Sequence, residues 1–265
     1  MNYFEAIVIA VIEGLTEFLP ISSTGHMIIA SSFMGIADDD FTKLFEVSIQ
    51  LGAILSVVIL FRGKFFPLTR WKFYLKLLIA VLPALVFGAL FSDKIDALLE
   101  SSITVAITML LGGVILIVID KLFKSPSVDQ EEDISTKQAF IIGLWQCIAM
   151  IPGVSRSAAS IIGGMQQNLT RKLASEFSFF LAVPTMAAAT GYKLLKAYKD
   201  SPDLLLNRDH LILLCLGNVI AFMVALIAIK LFITVLQQYG FKFFGWYRVI
   251  MGTILLILIY TGYLK

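Results

Sequence analysis

Charge is scarce in this chain. Asp, Glu, Lys and Arg together make up 15% of its 265 residues, and the formal net charge is +2. So little charge, scattered through loops rather than gathered into a tail, excludes nucleic acid as a partner. Cysteine is nearly absent too: Cys147 and Cys215 both fall in apolar runs and read as buried thiols with no disulfide framework. The opening MNYFEAIVIAVIEG lacks the basic segment and A-x-A site of a cleaved signal peptide. What is abundant is apolar side chain, at 58% of residues with a mean hydropathy of +0.89. That lies outside soluble composition and reads as an all-α integral membrane protein.

Six runs are long enough to span a bilayer, near 44–61, 73–91, 103–119, 173–195, 211–232 and 244–263. Two shorter pairs, 3–19 with 25–34 and 139–151 with 157–167, are interrupted at Pro20 and Pro152. Neither arm is long enough to span alone, which is the pattern of a re-entrant helix hairpin. The order is broken pair, three spans, broken pair, three spans. It predicts a first repeat over 1–123 with its hairpin at 1–36, a cytoplasmic linker at 124–137, and a second repeat over 138–265 with its hairpin at 138–168. Pro20 and Ser23 recur as Pro152 and Ser155, and Glu46 recurs as Glu176. An odd number of spans per half inverts the second copy, so the two hairpins would meet near mid-membrane. Loop charges divide twelve against seven if the first hairpin opens outward, which puts both termini outside and the linker inside. The charges of that linker, KSPSVDQEEDIS from Lys124 to Ser135, read as a solvated face.

Ionisable residues cost several kcal/mol within hydrocarbon and mark function there. The first polar string, EGLTEFLPISSTGH from Glu13 to His26, carries two carboxylates four residues apart on one helix face. Two carboxylates in low dielectric are not stable as bare anions, so one is protonated or a divalent cation sits between them, and beside SSTGH the metal reading is favoured. Ser22, Ser23, Thr24 and Gly25 follow the proline as a helix mouth able to hold a phosphate, although one of the hydroxyls is accounted for by ordinary capping. His26 lies three residues after Ser23, so on a first helical turn its imidazole would face that hydroxyl, as base toward a serine nucleophile or acid toward a leaving oxygen. The second string, IPGVSRSAAS from Ile151 to Ser160, sets Arg156 among Ser155, Ser157 and Ser160 beyond a Pro-Gly break. That pattern fits oxyanion recognition, with pairing to Glu176 as the bland alternative for the arginine. Glu46 and Glu176 read as residues that orient the hairpins, and Arg248 after Trp246-Tyr247 as an interfacial anchor. An acidic pair, a hydroxyl, an imidazole and an arginine are together the parts of metal-assisted phosphoryl transfer, and within a membrane the phosphate belongs to a lipid.

EGLTEFLPISSTGH and PGVSRSAAS closely resemble the two signature motifs of the bacterial undecaprenyl-diphosphatase, or bacitracin-resistance, family, with further likeness at FEVSIQLG, ASEFSFFLAVP and VALIAIK. The resemblance implies hydrolysis of undecaprenyl diphosphate to undecaprenyl phosphate and phosphate, recycling the lipid carrier of cell-wall synthesis. It implies Mg²⁺ or Ca²⁺, inverted repeats, and a multi-pass protein of the bacterial cytoplasmic membrane whose site opens to the periplasmic side. By match, Glu13 and Glu17 are the acidic motif, Ser23 the nucleophile, His26 the acid/base and Arg156 the phosphate clamp. Whether serine, histidine or water attacks stays open, as does a homodimer. The second motif departs from SRSGxT at Ala158 and Ser160. The phosphatidic-acid-phosphatase type, whose SGH element SSTGH is similar to, is excluded because the chain has no Arg-Pro and His210 is far from Arg156. A lipid-phosphate flippase or transporter remains the non-enzyme alternative.

Overall fold

The computed structural model describes residues 1–66, 68–99, 101–123 and 125–262, with backbone alone for 92–99. Lys94, Lys124 and Lys265, which entered the loop charge balance, lie outside the described side chains, as does Tyr263 at the end of the last expected span. Thirteen α-helices occur among the described residues: α1 Tyr3–Thr16, α2 Ser23–Phe33, α3 Asp40–Ser48, α4 Gln50–Leu60, α5 Arg62–Phe65, α6 Trp71–Leu99, α7 Ser102–Leu122, α8 Thr136–Cys147, α9 Arg156–Gln166, α10 Arg171–Asp200, α11 Asp203–Leu206, α12 Arg208–Tyr239 and α13 Lys242–Tyr260. Six segments are long and apolar enough to cross a membrane: Asp40–Leu60, Trp71–Phe91, Ser102–Leu122, Arg171–Asp200, Arg208–Tyr239 and Lys242–Tyr260. These are the six expected spans, with ends extended into polar caps. Asp39, for example, accepts the Thr42 N–H at 3.0 Å and starts α3. At about 1.5 Å per residue, α1, α2, α8 and α9 each fall short of a hydrocarbon core of roughly 30 Å.

Small residues set the helix spacing. α1 packs on α12 through Gly14, whose Cβ would lie 2.7 Å from the Ala221 carbonyl oxygen, and α8 packs on α6 through Gly143, whose Cβ would lie 2.1 Å from that of Ala80. α7 and α13 form the most extensive pair, with Gly113 and Gly245 each against the other's carbonyl. Close backbone approach of this kind is how helices associate in lipid, where apolar area gives little drive. Gly143→Ala is therefore expected to lower the unfolding midpoint in detergent by an overpacking cost of about 1–3 kcal/mol, whereas Gly63→Ala, with nothing near its Cβ, leaves the midpoint unchanged.

An edge-to-face aromatic chain forms the floor under the first break: Phe18 meets Phe179 at 5.5 Å and 89°, and Phe179 meets Phe232 at 5.8 Å. Asp129, Glu132 and Asp133 of the linker are exposed, as a solvated face requires, and Glu131 is the exception. Glu131 is 3% exposed, accepts from Arg70 at 2.6 Å and lies 3.6 Å from Lys76, while the Lys76 ammonium donates to the carbonyls of Glu131 and Glu132 at 2.7 and 2.8 Å. A bond to its own backbone N–H, with Lys64 and Arg70 adding to it, holds the Glu132 carboxyl below the usual carboxylate range. Only half the cysteine expectation holds. Both thiols are free, but Cys147 is half-buried and Cys215 is exposed on the outward side of α12, where lipid rather than protein would cover an apolar side chain.

Candidate active site

The first string ends α1 and begins α2. Glu13 lies in the last turn of α1, Glu17 is its C-cap, and Ser22 caps α2 with its hydroxyl accepting the Gly25 N–H at 3.4 Å. The second string repeats that local structure, with Ser155 capping α9 and accepting the Ala158 N–H at 3.3 Å. Both cap serines have positive φ, 70° for Ser22 and 75° for Ser155, in a region that favours glycine. Such a conformation costs about 1–3 kcal/mol and persists only where surrounding contacts impose it. By cap position the counterpart of Ser155 is thus Ser22, not Ser23. The two strings align on their prolines at a spacing of 132 residues but on their helix starts at 133.

The two strings meet at Glu17. Its Oε2 accepts the Ser23 hydroxyl at 2.5 Å, and its Oε1 lies 3.4 Å from Arg156 Nη2 across 139 residues of chain. Arg156 also donates from Nη1 to the Ser178 carbonyl at 3.0 Å, and its guanidinium lies 5.8 Å from the Phe18 ring centre. The arginine thus pairs with Glu17 and not with Glu176, which instead faces Lys172 at 3.9 Å on its own helix. The Arg156 Nε–H has no acceptor among the described residues, and no N–H or hydroxyl donor among them reaches the fully buried Glu13 oxygens. The Glu13 carboxyl instead lies within hydrogen-bonding range of Glu17, a pair that either shares a proton or holds a cation. Glu13 is close enough to interact electrostatically with Glu17, Glu46 and Arg156. In α3, one oxygen of Glu46 is likewise buried without a partner.

Several expectations need correction. His26 does not face Ser23, because Ser23 is the first residue of α2 and its hydroxyl is held by Glu17. The imidazole bonds the Ser22 carbonyl through Nδ1 at 2.7 Å and the Tyr247 hydroxyl through Nε2 at 2.7 Å. Since a carbonyl only accepts, Nδ1 carries the proton and a neutral ring accepts from Tyr247 at Nε2. Ser157 and Ser160 are fully buried and committed elsewhere, Ser157 donating to the Leu19 carbonyl at 2.8 Å and Ser160 to the Arg156 carbonyl at 2.8 Å while sharing a bond with Ser178. Both residues fall on the face of α9 that packs inward. Ser155, 9% exposed, bonds Ser157 at 3.1 Å. Thr24 is half-buried, and Gly25 is pressed against Met109. Arg248 is no interfacial anchor: it is fully buried and donates to carbonyls of both breaks. Tyr247 and Arg248 are the residues that sequence reasoning misplaced. Their signal was an arginine near the middle of a 19-residue spanning helix, where a charge is functional by default.

Whether the acidic pair suits a divalent cation turns on its free valence. Glu13 offers two buried oxygens that no N–H or hydroxyl among the described residues reaches, facing the Glu17 carboxyl, a donor set that fits a hard cation which takes one or two carboxylates and completes its shell with water and substrate phosphate.

Fold and site define a multi-pass α-helical membrane protein with a buried carboxylate–serine–arginine cluster between two helix breaks. The chain belongs to the bacitracin resistance protein BacA family, whose family model matches residues 6–254. It is similar to proteins named undecaprenyl-diphosphatase from Flavobacterium psychrophilum, 59% identical over 97% of this chain and 96% of the relative, and from Bdellovibrio bacteriovorus, 52% identical over 99% and 98%. A relative of the same name from Campylobacter jejuni is 44% identical over all of this chain and 97% of its own.

Proposed function

We propose that this protein hydrolyses undecaprenyl diphosphate to undecaprenyl phosphate and inorganic phosphate, returning the lipid carrier to cell-wall synthesis and conferring bacitracin resistance. The observation that carries the reading is complementary free valence: an unpartnered Arg156 Nε–H donor and a Glu13 carboxyl that meets only the Glu17 carboxyl flank the bonded Ser23–Glu17 pair. A diphosphate accompanied by a cation satisfies both.

In the proposed reaction the Ser23 oxygen attacks the terminal phosphorus while its proton passes to Glu17 Oε2, 2.5 Å away. The bond from that phosphorus to the bridging oxygen breaks and undecaprenyl phosphate leaves. The departing undecaprenyl phosphate carries off the proton from Glu17, which is then again a carboxylate. Glu17 takes a proton from water as the water oxygen attacks the phosphorus, and returns it to the Ser23 oxygen as the serine–phosphorus bond breaks, giving phosphate and free Ser23. Arg156 takes up the charge that develops on the transferring oxygens. Glu13 and Glu17 would hold Mg²⁺ or Ca²⁺, which when bound neutralises diphosphate charge and polarises the phosphoryl oxygens. His26 steadies the strained Ser22 turn through its carbonyl, and acts as an acid only as an imidazolium that carries a proton on Nε2 as well and turns it from Tyr247 to the leaving oxygen.

The architecture behind this reading is an inverted repeat with two re-entrant hairpins, the site facing the periplasm. Its support is reciprocal packing, α1 on α12 and α8 on α6, with α7 on α13 between the halves. A lipid-phosphate flippase needs the arginine but not a serine bonded to a carboxylate, so hydrolysis is favoured.

Purified protein in detergent, given a polyprenyl diphosphate and Mg²⁺ or Ca²⁺, is expected to release phosphate. Glu13→Gln should raise the cation concentration for half-maximal rate by at least tenfold, within the range of losses seen when metal sites are perturbed. No release by the wild type, or full release by Ser23→Ala, overturns the proposal.

A further inference from the structure

A helix broken at membrane depth frees carbonyls that lipid cannot satisfy, so each must find a partner within the protein. Besides turn bonds such as Ile21 N–H to the Leu19 carbonyl at 2.8 Å, the partners here include side chains from outside each break. The Leu19 carbonyl accepts from Ser157 at 2.8 Å and that of Pro152 from Thr108 at 2.5 Å. Arg248 takes three more, donating to Pro20 at 3.2 Å, Val154 at 2.9 Å and Gly153 at 2.8 Å. Its remaining donors go to the Met109 and Thr108 carbonyls of α7 at 3.2 and 3.1 Å. A guanidinium has five N–H donors in a rigid fork, and all five are used on neutral carbonyls in a fully buried position. α7 is shaped to admit it: a Cβ on Gly112 would lie 2.3 Å from Nη2 and 2.7 Å from Cζ.

The three carbonyls belong to both polar strings at once. Pro20 lies three residues before Ser23, and Val154 two before Arg156. One planar group therefore fixes the distance between the two backbones that carry the nucleophile and the clamp. We propose that Arg248 is a positioning residue that holds the two breaks in register, so that Ser23 and Arg156 reach opposite oxygens of Glu17, with Gly112 as the slot that admits it. The inference rests on the hydrolase reading for its catalytic consequence but not for its geometry.

The test uses the full chain in detergent. Arg248→Lys keeps the charge but loses the fork, and Gly112→Ala keeps the arginine but displaces it. In each, kcat for phosphate release is expected to fall by about 10²-fold, the cost of roughly 1 Å of misplacement, with KM little changed. Spin labels on Leu15→Cys and Ile151→Cys, both exposed positions, in a background with Cys147 and Cys215 replaced by serine, report the separation of the two breaks directly. Their distance distribution should broaden or shift in both variants. Guanidinium ion added to Arg248→Ala should restore part of the lost rate and narrow the distribution, which a misfolded variant does not do. Wild-type kcat in either substituted chain, or an unchanged label distance beside a lost rate, overturns the proposal. A wild type that releases no phosphate fails the hydrolase reading instead, and the label distances then decide the positioning claim alone.

Discussion

Glu17→Gln is expected to lower kcat for phosphate release by about 10²–10⁴-fold, the usual worth of a positioned proton acceptor. The substitution preserves shape and leaves an amide oxygen for Ser23 to bond, but removes the group 2.5 Å away that takes its proton. It also removes the anion facing Arg156 at 3.4 Å. With that competitor gone, the guanidinium is free for the diphosphate, so at saturating cation KM for the lipid is expected to hold or fall while kcat collapses. A collapse of kcat without a rise in KM separates loss of a base from loss of a binding group. Glu17→Ala is the harsher change, because a buried charge stripped of its partner costs about 3–5 kcal/mol, and its unfolding midpoint should drop visibly beside that of the glutamine variant. Phosphate release by Glu17→Gln within tenfold of the wild type would remove Glu17 from the chemistry.

The six spans and both breaks are legible because they follow from local rules. Long apolar runs must be helices in lipid, and Pro20 and Pro152 end the arms where Thr16 and Cys147 close the helices just before them. The meeting of Glu17 and Arg156 is legible too, since two expensive polar strings in one apolar chain are cheapest when they satisfy each other. What escapes is side-chain direction and long-range pairing. The three-residue spacing of Ser23 and His26 implies a shared face within a regular turn, yet Ser23 opens α2, where its hydroxyl turns back to Glu17. Arg248 meets carbonyls 94 to 228 residues away, and Glu131 is held by Arg70, just before α6, and by Lys76 in its first turns. No periodicity encodes such contacts. Ser160 is lost to the site by the ordinary habit of helical serines, a bond to the carbonyl four residues back.

Arg156→Ala is expected to reduce kcat by about 10³–10⁵-fold, the scale of an arginine that stabilises a transferring phosphoryl group. Arg156→Lys should recover little of it. The fork spans the Ser178 carbonyl at 3.0 Å and Glu17 at 3.4 Å while leaving Nε–H free. A single ammonium cannot bridge those two partners and still present a donor to the substrate. If the arginine clamps the phosphate as proposed, it contacts it in the ground state as well, and KM for the lipid should rise in both variants, the reverse of the Glu17→Gln pattern. The two changes are coupled through one ion pair, so Glu17→Gln combined with Arg156→Ala should cost less than the product of the single losses. Multiplicative losses would mean that the two residues act independently on the substrate and that their contact is incidental to the reaction. A shortfall, measured as phosphate release in the four chains of the cycle, ties the catalytic base on the first break to the clamp on the second as one unit.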